Sequence, residues 1–264
     1  MRVATWNVNG LRARLDFVLD WLRARQPDVV GLQELKLPDD RFPHDAFAAL
    51  GYRAATHGQK SWNGVAILAR TEPRVTQVGL PGFEPAGARL LSAEIGELAF
   101  TTVYVPNGKA IDHADFPDKL AWLEGLAAHL ARRCDPSRPA VVCGDFNVCP
   151  GPLDSWDEAQ LAGSIFHTED ERARFGGLLE LGLVDLYREL HPGEQAFSWW
   201  DYRGGAFHRK QGLRIDLLLA TRPARERATT AEIDREWRKK QEGRTPSDHA
   251  PVWADLLQPS ANPR

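Results

Sequence analysis

Apolar and polar positions along this chain repeat with two periods. Val3 to Trp6 is a short apolar run closed by Asn-Gly, which predicts a buried strand ending in a turn. Leu11, Leu15, Val18, Leu19 and Leu22 then recur three and four apart, as on the buried face of a helix, and Pro27 marks the stop. Asp28 to Leu32 reads as the next strand, with Gln33-Glu34 at its carboxyl end. Phe42 to Leu50 predicts a short helix closed by Gly51. Strand-like runs follow at 64–69, 74–79, 89–95 and 98–105. Phe116 to Arg133 predicts a long helix with Leu120, Leu123, Leu126, Ala127 and Leu130 on one face. Ala140 to Cys143 is a short strand leading into Gly144-Asp145-Phe146-Asn147. Thr168 to Leu181 reads as a helix, with Thr168 and Glu171 spaced as a capping box. The runs 213–220 and 250–256 are late strands, and the tail after Pro259 is expected to fray.

Many strands, few helices and long polar loops predict an α/β chain in which sheets pack face to face under helices. No repeat, low-complexity tract or Pro/Gly/Ser-rich linker divides it, so residues 1–258 are expected to form one domain. The loops 106–115, 148–167 and 201–212 are long enough to be binding surfaces.

Composition narrows the class. The 264 residues, 43% hydrophobic and 26% charged, suit a domain with a sizeable core. The N-terminus turns polar too soon for a secretory leader, and no apolar run approaches a membrane span. Cys134, Cys143 and Cys149 are sparse and lack metal-ligand spacing, and Cys143 reads as a small buried hydrophobe. A cytoplasmic protein with no membrane partner is expected. The net charge of -3 argues against nucleic acid when read globally. Carboxylates gathered for a metal would account for part of it. Basic residues also concentrate locally, at Arg203, His208, Arg209 and Lys210 and at Arg235, Arg238, Lys239, Lys240 and Arg244. Alone, such runs are ordinary solvated surface.

The chemistry sits at the ends of the apolar runs. Thr5-Trp6-Asn7-Val8-Asn9-Gly10, Leu32-Gln33-Glu34, Gly144-Asp145-Phe146-Asn147 and Ser247-Asp248-His249 all do so, and Asp216 fits the scheme. Together they offer oxygen ligands for a divalent cation, and an imidazole, as hydrolysis of a phosphate ester requires. A lone Glu34 after a strand is most often solvated, but with Asn7 ending a neighbouring run the two can share a hard cation. Asp145 and Asn147 alternate on an extended segment, so both can face one cavity, the carboxylate activating a water and the amide placing it. A plain turn that ends a strand explains them equally well. His249 is more often structural, yet Asp216 can fix its tautomer and keep the ring charged for a phosphate oxygen. Tyr104 is ordinarily packing, although its hydroxyl can reach a phosphate. The aromatics from Phe197 to Tyr202 read as core, or, beside the basic loop, as a surface for sugars and phosphates.

These motifs, with His57-Gly58-Gln59-Lys60, Gly182-Leu183-Val184-Asp185, Ser198-Trp199-Trp200-Asp201-Tyr202-Arg203 and Gly212-Leu213-Arg214-Ile215-Asp216 between them, are specific as an ordered set and run to about residue 256. The set resembles exonuclease III, the bacterial branch of the abasic-site endonucleases within the endonuclease/exonuclease/phosphatase superfamily. The resemblance implies a DNase I-like, four-layered α/β sandwich of two packed mixed sheets flanked by helices. It implies a magnesium-dependent DNA-repair nuclease, with manganese as a substitute, that cuts 5′ to abasic sites and trims 3′ ends of double-stranded DNA as a monomer. Glu34 would be the principal metal ligand with Asn7 beside it. Asp145 would prepare the attacking water and Asn147 place it. His249, paired with Asp216, and Tyr104 would contact the scissile phosphate, while Asp248 supports the metal region. The implied metal shell is thus Asn7, Glu34, Asp145, Asn147, Asp248 and His249. Arg89, Asn107 and Arg203 would face DNA, and Trp199, Leu213 and Ile215 would line an apolar slot for a base-free sugar that an intact base cannot enter. Val105-Pro106-Asn107-Gly108 follows the eukaryotic branch of the family, and residues 151–167 depart from its pattern. Two other readings stand beside this one. A non-catalytic nucleic-acid-binding relative should show gaps at the metal and water positions, and none is seen. A cousin acting on inositol phosphates would not need the Trp199–Leu213 slot.

Overall fold

Twelve strands and seven helices order the described residues, 1–258, of the computed structural model; the expected fraying after Pro259 lies outside the described residues. In chain order the first strands are β1 (Arg2–Asn7), β2 (Val29–Gln33), β3 (Arg53–His57), β4 (Val65–Ala69), β5 (Arg74–Val78) and β6 (Leu90–Ile95). They are followed by β7 (Leu98–Tyr104), β8 (Ala140–Asp145), β9 (Leu183–Asp185), β10 (Asp216–Thr221), β11 (Ala228–Ile233) and β12 (Val252–Leu256). The helices are α1 (Leu11–Arg25), α2 (His44–Ala48), α3 (Asp115–Arg133), α4 (Glu158–Leu161), α5 (Glu169–Leu179), α6 (Leu186–Leu190) and α7 (Arg222–Arg225).

The strands form two six-stranded sheets, in the orders β11-β12-β1-β2-β4-β3 and β5-β6-β7-β8-β10-β9. Each is mixed: β1–β2 and β7–β8 are parallel, and the other pairs antiparallel. Side chains alternate across a strand, so each central strand feeds two cores. Val3, Val29 and Ile67 of the first sheet face Phe100, Cys143 and Leu218 of the second. The intervening Ala4, Trp6, Val30 and Leu32 face outward onto Phe17, Trp21 and Leu22 of α1. Val103, Val142, Leu217 and Leu219 pack on the other side against Trp122, Leu126, Phe175 and Leu178 of α3 and α5. The result is the four-layered sandwich, and burial on both faces is why these strands read as unbroken apolar runs. The sheets approach closely at Gly31, where a Cβ would stand 2.6 Å from Thr102 Oγ1 and 2.9 Å from Cys143 Sγ.

Register places the chemistry. Asp145 lies across from Tyr104 on the parallel strand β7 and from Asp216 on the antiparallel strand β10. Asn7 and Gln33 face each other at the ends of β1 and β2. The motif residues therefore emerge along one edge of the sandwich. Gly144 makes this possible, because its φ of 145° and a hypothetical Cβ only 1.8 Å from Val103 O exclude a side chain there.

Several boundaries differ from those the pattern predicts. The helix expected from Phe42 starts at His44, after Pro43. β10 starts at Asp216, because Leu213 instead bridges to Ser155 and Trp199. β12 starts at Val252, after Pro251, which lacks the N–H a ladder needs. The edge strands β3, β9 and β11, and the helices α4, α6 and α7, are too short or too weakly patterned to show in the periodicity. The Thr168–Glu171 capping box forms with both of its bonds. Cys143 and Cys149 are buried, and all three cysteines are unpaired. Among the described residues no helix is long and apolar enough to cross a membrane.

Gly31→Ala should force the two sheets apart and destabilise the protein by about 1–3 kcal/mol. Urea unfolding measures this directly, and a midpoint equal to that of the parent would contradict so close an approach.

Candidate active site

The edge residues converge. Asn7, at the end of β1, donates from Nδ2 to Glu34 Oε1 at 2.8 Å and to Asp145 Oδ2 at 2.9 Å. Its Oδ1 accepts the Asn9 N–H at 3.0 Å, which fixes which end of the amide faces the carboxylates. Glu34 follows β2 with φ +53°, held there as its carbonyl accepts the Gly10 N–H at 2.7 Å. Such a conformation costs on the order of 1 kcal/mol outside glycine. Asp145 Oδ1 accepts the Asn147 N–H at 2.9 Å. Asn147, at φ +49°, donates from Nδ2 to Val105 O at 2.9 Å, and its Oδ1 accepts from Asn107 Nδ2 at 3.2 Å. The Asp145–Asn147 segment is thus an Asx-type turn and a member of the cluster at once.

His249 sits between two carboxylates. Its Nδ1 lies 2.9 Å from Asp216 Oδ2, and its Nε2 lies 3.8 Å from Asp145 Oδ2. Ser198 Oγ donates to Asp216 Oδ2 at 2.6 Å, so the carboxylate that orients the ring is itself held. All four side chains are buried. Burial alone would depress the imidazolium, but Asp216, through charge and hydrogen bond, and then Asp145 and Asp248 push its pKa up to about 10. Burial lifts the Asp145 pKa; His249 opposes it and Asp216 and Glu34 add to it, leaving it raised to about 7. Tyr104 is raised well above the usual phenol, by burial first and then by Glu34 and Asp145 beside it.

The donor set suits a hard cation. Among the described residues, Glu34, Asp145 and His249 offer ligand atoms within 4.8 Å of one another. Two carboxylates among neutral amides fit magnesium or manganese, which prefer oxygen ligands. The Lys36 ammonium, 2.9 Å from Glu34 Oε2, shows a positive charge already drawn to this carboxylate. Asn7 turns its NH₂ toward the carboxylates and orients them. An imidazolium has no free lone pair, so in its charged form His249 is a donor to an anion.

The other residues singled out in the sequence are placed around this centre. Asp248 is outside the three-residue cluster: its carboxylate accepts from Asn9 Nδ2 at 2.8 Å and Trp199 Nε1 at 3.1 Å. Arg89 is largely buried, its guanidinium 4.7 Å from the Tyr104 ring centre and bonded to Ala86 O and Tyr104 O. Trp199, Leu213 and Ile215 form one apolar cluster with Cys149, Trp156, Leu161 and Phe166, and the Trp199 and His249 rings are 6.4 Å apart. Arg203 is not brought to the centre; it is exposed and pairs with Asp201 at 2.9 Å. Arg238 is buried and donates to the carbonyls of Asp248 and Trp200, so part of the basic stretch 235–244 is structural.

Three contributors escape the sequence reading. Ser198 is masked in the sequence by its large aromatic neighbours. Asn9 reads only as part of the Asn-Gly turn, yet it bonds Asp248. Lys119 reads as solvated by its residue type, yet it shares the spacing of Phe116 and Leu123 on the buried face of α3 and is fully buried beneath Asn147.

Comparison with known proteins agrees with this architecture. The family described as Endonuclease/Exonuclease/phosphatase matches residues 4–249. The chain is 37% identical to exodeoxyribonuclease III of Haemophilus influenzae, over 97% of this chain and 100% of that one. An AP endonuclease structure from Archaeoglobus fulgidus superposes with a TM-score of 0.93 at 38% identity, covering 97% of this chain and 99% of that chain. A 3′ phosphatase from Neisseria bound to a product DNA hairpin superposes with a TM-score of 0.93 at 36% identity, covering 98% and 100%. The chain belongs to the endonuclease/exonuclease/phosphatase family, on its exodeoxyribonuclease III and AP endonuclease side.

Proposed function

We propose that this protein is a magnesium-dependent DNA-repair nuclease that hydrolyses the phosphodiester 5′ to abasic sites and trims 3′ ends of duplex DNA. One observation carries the reading: a buried imidazole stands between the Asp216 and Asp145 carboxylates, beside Glu34, at a single edge of the sandwich. The names of its relatives, an exodeoxyribonuclease III, an AP endonuclease and a 3′ phosphatase, support the same chemistry.

The geometry and the family resemblance support the following roles. Asp145 takes the proton of the attacking water, and Asn147, its amide pinned by Val105 and Asn107, places that water. The water oxygen bonds to phosphorus as the bond to the 3′ oxygen breaks, and that oxygen acquires a proton to leave a 3′ hydroxyl. His249 donates from Nε2 to a phosphoryl oxygen while Asp216 holds Nδ1–H and Ser198 holds Asp216. Tyr104, kept as the neutral phenol, donates to the same phosphate. Glu34 is the principal ligand for magnesium or manganese, Asp145 stands next to it, and Asn7 orients both. When bound, the cation would screen charge gathering on the phosphoryl oxygens. Asp248 steadies Asn9 and Trp199. Trp199, Leu213 and Ile215 form the slot for the base-free sugar, with Asn107 at the phosphate and Arg89 behind Tyr104. Residues 1–258 act as one domain, as a monomer in the cytoplasm, where three unpaired cysteines are at home.

End-labelled intact, nicked and abasic duplexes, assayed with and without magnesium, test the function: cleavage should need the metal and favour the abasic duplex over the intact one. Asp145→Asn and His249→Ala should each lower kcat/KM by about 100-fold or more while keeping the parent's circular dichroism. Near-parent cleavage by either variant would contradict the assignments.

The pH profile should have two limbs. Asp145 must be ionised, so activity is lost as pH falls through its pKa, about 7 before a bound cation draws it lower. His249 must be protonated, so activity is also lost as pH rises through about 10. His249→Gln should abolish the alkaline limb; its persistence in that variant would contradict the assignment of His249.

A further inference from the structure

Lys119 is an unexpected residue in this fold. It lies on α3, within the outer helical layer, yet its side chain is fully buried. The ammonium has three protons and three acceptors. It donates to Asn147 O at 2.6 Å, to Asn107 O at 3.2 Å and to Glu171 Oε1. Two of these acceptors are backbone carbonyls at the roots of the long loops 106–115 and 148–167. The third belongs to the N-terminal turn of α5, where Glu171 also accepts the N–H groups of Phe166 and Thr168 at 3.1 Å. The Phe166 ring lies 4.7 Å from the ammonium and also belongs to the apolar cluster of Trp199, Leu213 and Ile215. Gly108, at φ +82°, leaves room for the lysine stem, since a Cβ there would stand 2.9 Å from Lys119 Cδ.

A buried ion pair is by itself a weak explanation for this arrangement, because apolar residues of the same volume often serve stability as well. The two carbonyls point elsewhere. Asn147 holds a left-handed conformation, and Asn107 donates to its side-chain oxygen. A cation that grips the carbonyls of both residues fixes both backbones, and so the direction of the Asn147 amide, to which the hydrolytic reading gives the placing of the water. We propose that Lys119 is a positioning residue for hydrolysis: its ammonium locks Asn147 and Asn107 into their working orientation and ties that orientation to the wall of the apolar slot. The inference rests on the hydrolytic reading of the site.

Two variants separate positioning from stability. Lys119→Met removes the donor to the carbonyls. Glu171→Gln removes the carboxylate charge and, with its oxygen kept on Thr168 as in a capping box, gives up the acceptor for Lys119 and Phe166, while both carbonyls remain for the lysine. Each is expected to lower the unfolding midpoint. Lys119→Met should also lower kcat about 100-fold with KM within about threefold, the mark of a misplaced group rather than lost binding. Glu171→Gln should keep kcat within about threefold of the parent. The Asn147 side-chain amide, followed by ¹⁵N NMR without any turnover, should shift in Lys119→Met and stay in place in Glu171→Gln. If Lys119→Met does not fold, Lys119→Met combined with Glu171→Gln, which removes both buried charges, carries the same expectation against Glu171→Gln alone. Equal kcat losses in the lysine and glutamate variants, or a parent-like kcat or Asn147 amide without Lys119, would overturn the inference. A parent protein that cleaves no duplex would sink the hydrolytic reading, and the NMR comparison would still decide the role of Lys119.

Discussion

The arrangement depends on keeping one imidazole charged where water is scarce. A buried cation is costly unless neighbouring groups restore what solvent would have supplied. Here Asp216 does so at 2.9 Å, braced by Ser198, and Asp145 faces the other ring nitrogen at 3.8 Å. Burial raises the neighbouring Asp145 carboxyl to about 7, Asp216 and Glu34 add to the rise, and the charged His249 opposes it. A proton acceptor and a proton donor therefore stand side by side, both raised by their surroundings, so that the carboxyl titrates near neutrality and the imidazole well above it. The two β-sheets supply the rigidity: Asp145 and Asp216 are register partners on adjacent strands, so their spacing is set by a hydrogen-bonded ladder.

Most of the site was legible in the sequence for a simple reason. Strand ends at one edge of a packed sandwich are preceded by apolar runs, and polar residues that follow such runs stand out. Asn7, Glu34 and Asp145 announce themselves this way, while Asp216 and His249 stand just before the apolar runs of β10 and β12. The capping box at Thr168 and Glu171 was equally readable, because its chemistry is local. What could not be read was any partnership that only packing creates. Lys119 falls three residues after Phe116 and four before Leu123, on the buried face of its helix, but a lysine there reads as solvated, and two of its three acceptors are backbone carbonyls, which every sequence has. Ser198 was obscured because its neighbours are large aromatics. The shortest elements, such as β9 and α7, take their shape from the sheet they join and carry little pattern of their own.

The basic residues show the same division. Net charge argues against a nucleic-acid surface and the basic runs read as solvated, but Arg238 donates to the carbonyls of Trp200 and Asp248, and Arg244 pairs with Asp20 and Glu242. All four members of the first basic run, Arg203, His208, Arg209 and Lys210, are exposed, on the loop beside the apolar cluster. Guanidinium groups that stack on Trp200, Tyr202 and Phe207 hold the loop's aromatic base in place. Charge counted along a chain does not distinguish a scaffold cation from one free to meet a ligand; hydrogen-bond partners do.

The most direct test of this account is the protonation state of His249, followed by ¹⁵N NMR of the imidazole across pH. The imidazolium should persist past neutrality and lose its proton near 10, a value that should fall toward the ordinary histidine range in Asp216→Asn. A His249 ring that is already neutral at pH 8 in the parent would remove the buried charge from which the rest of the chemistry is built.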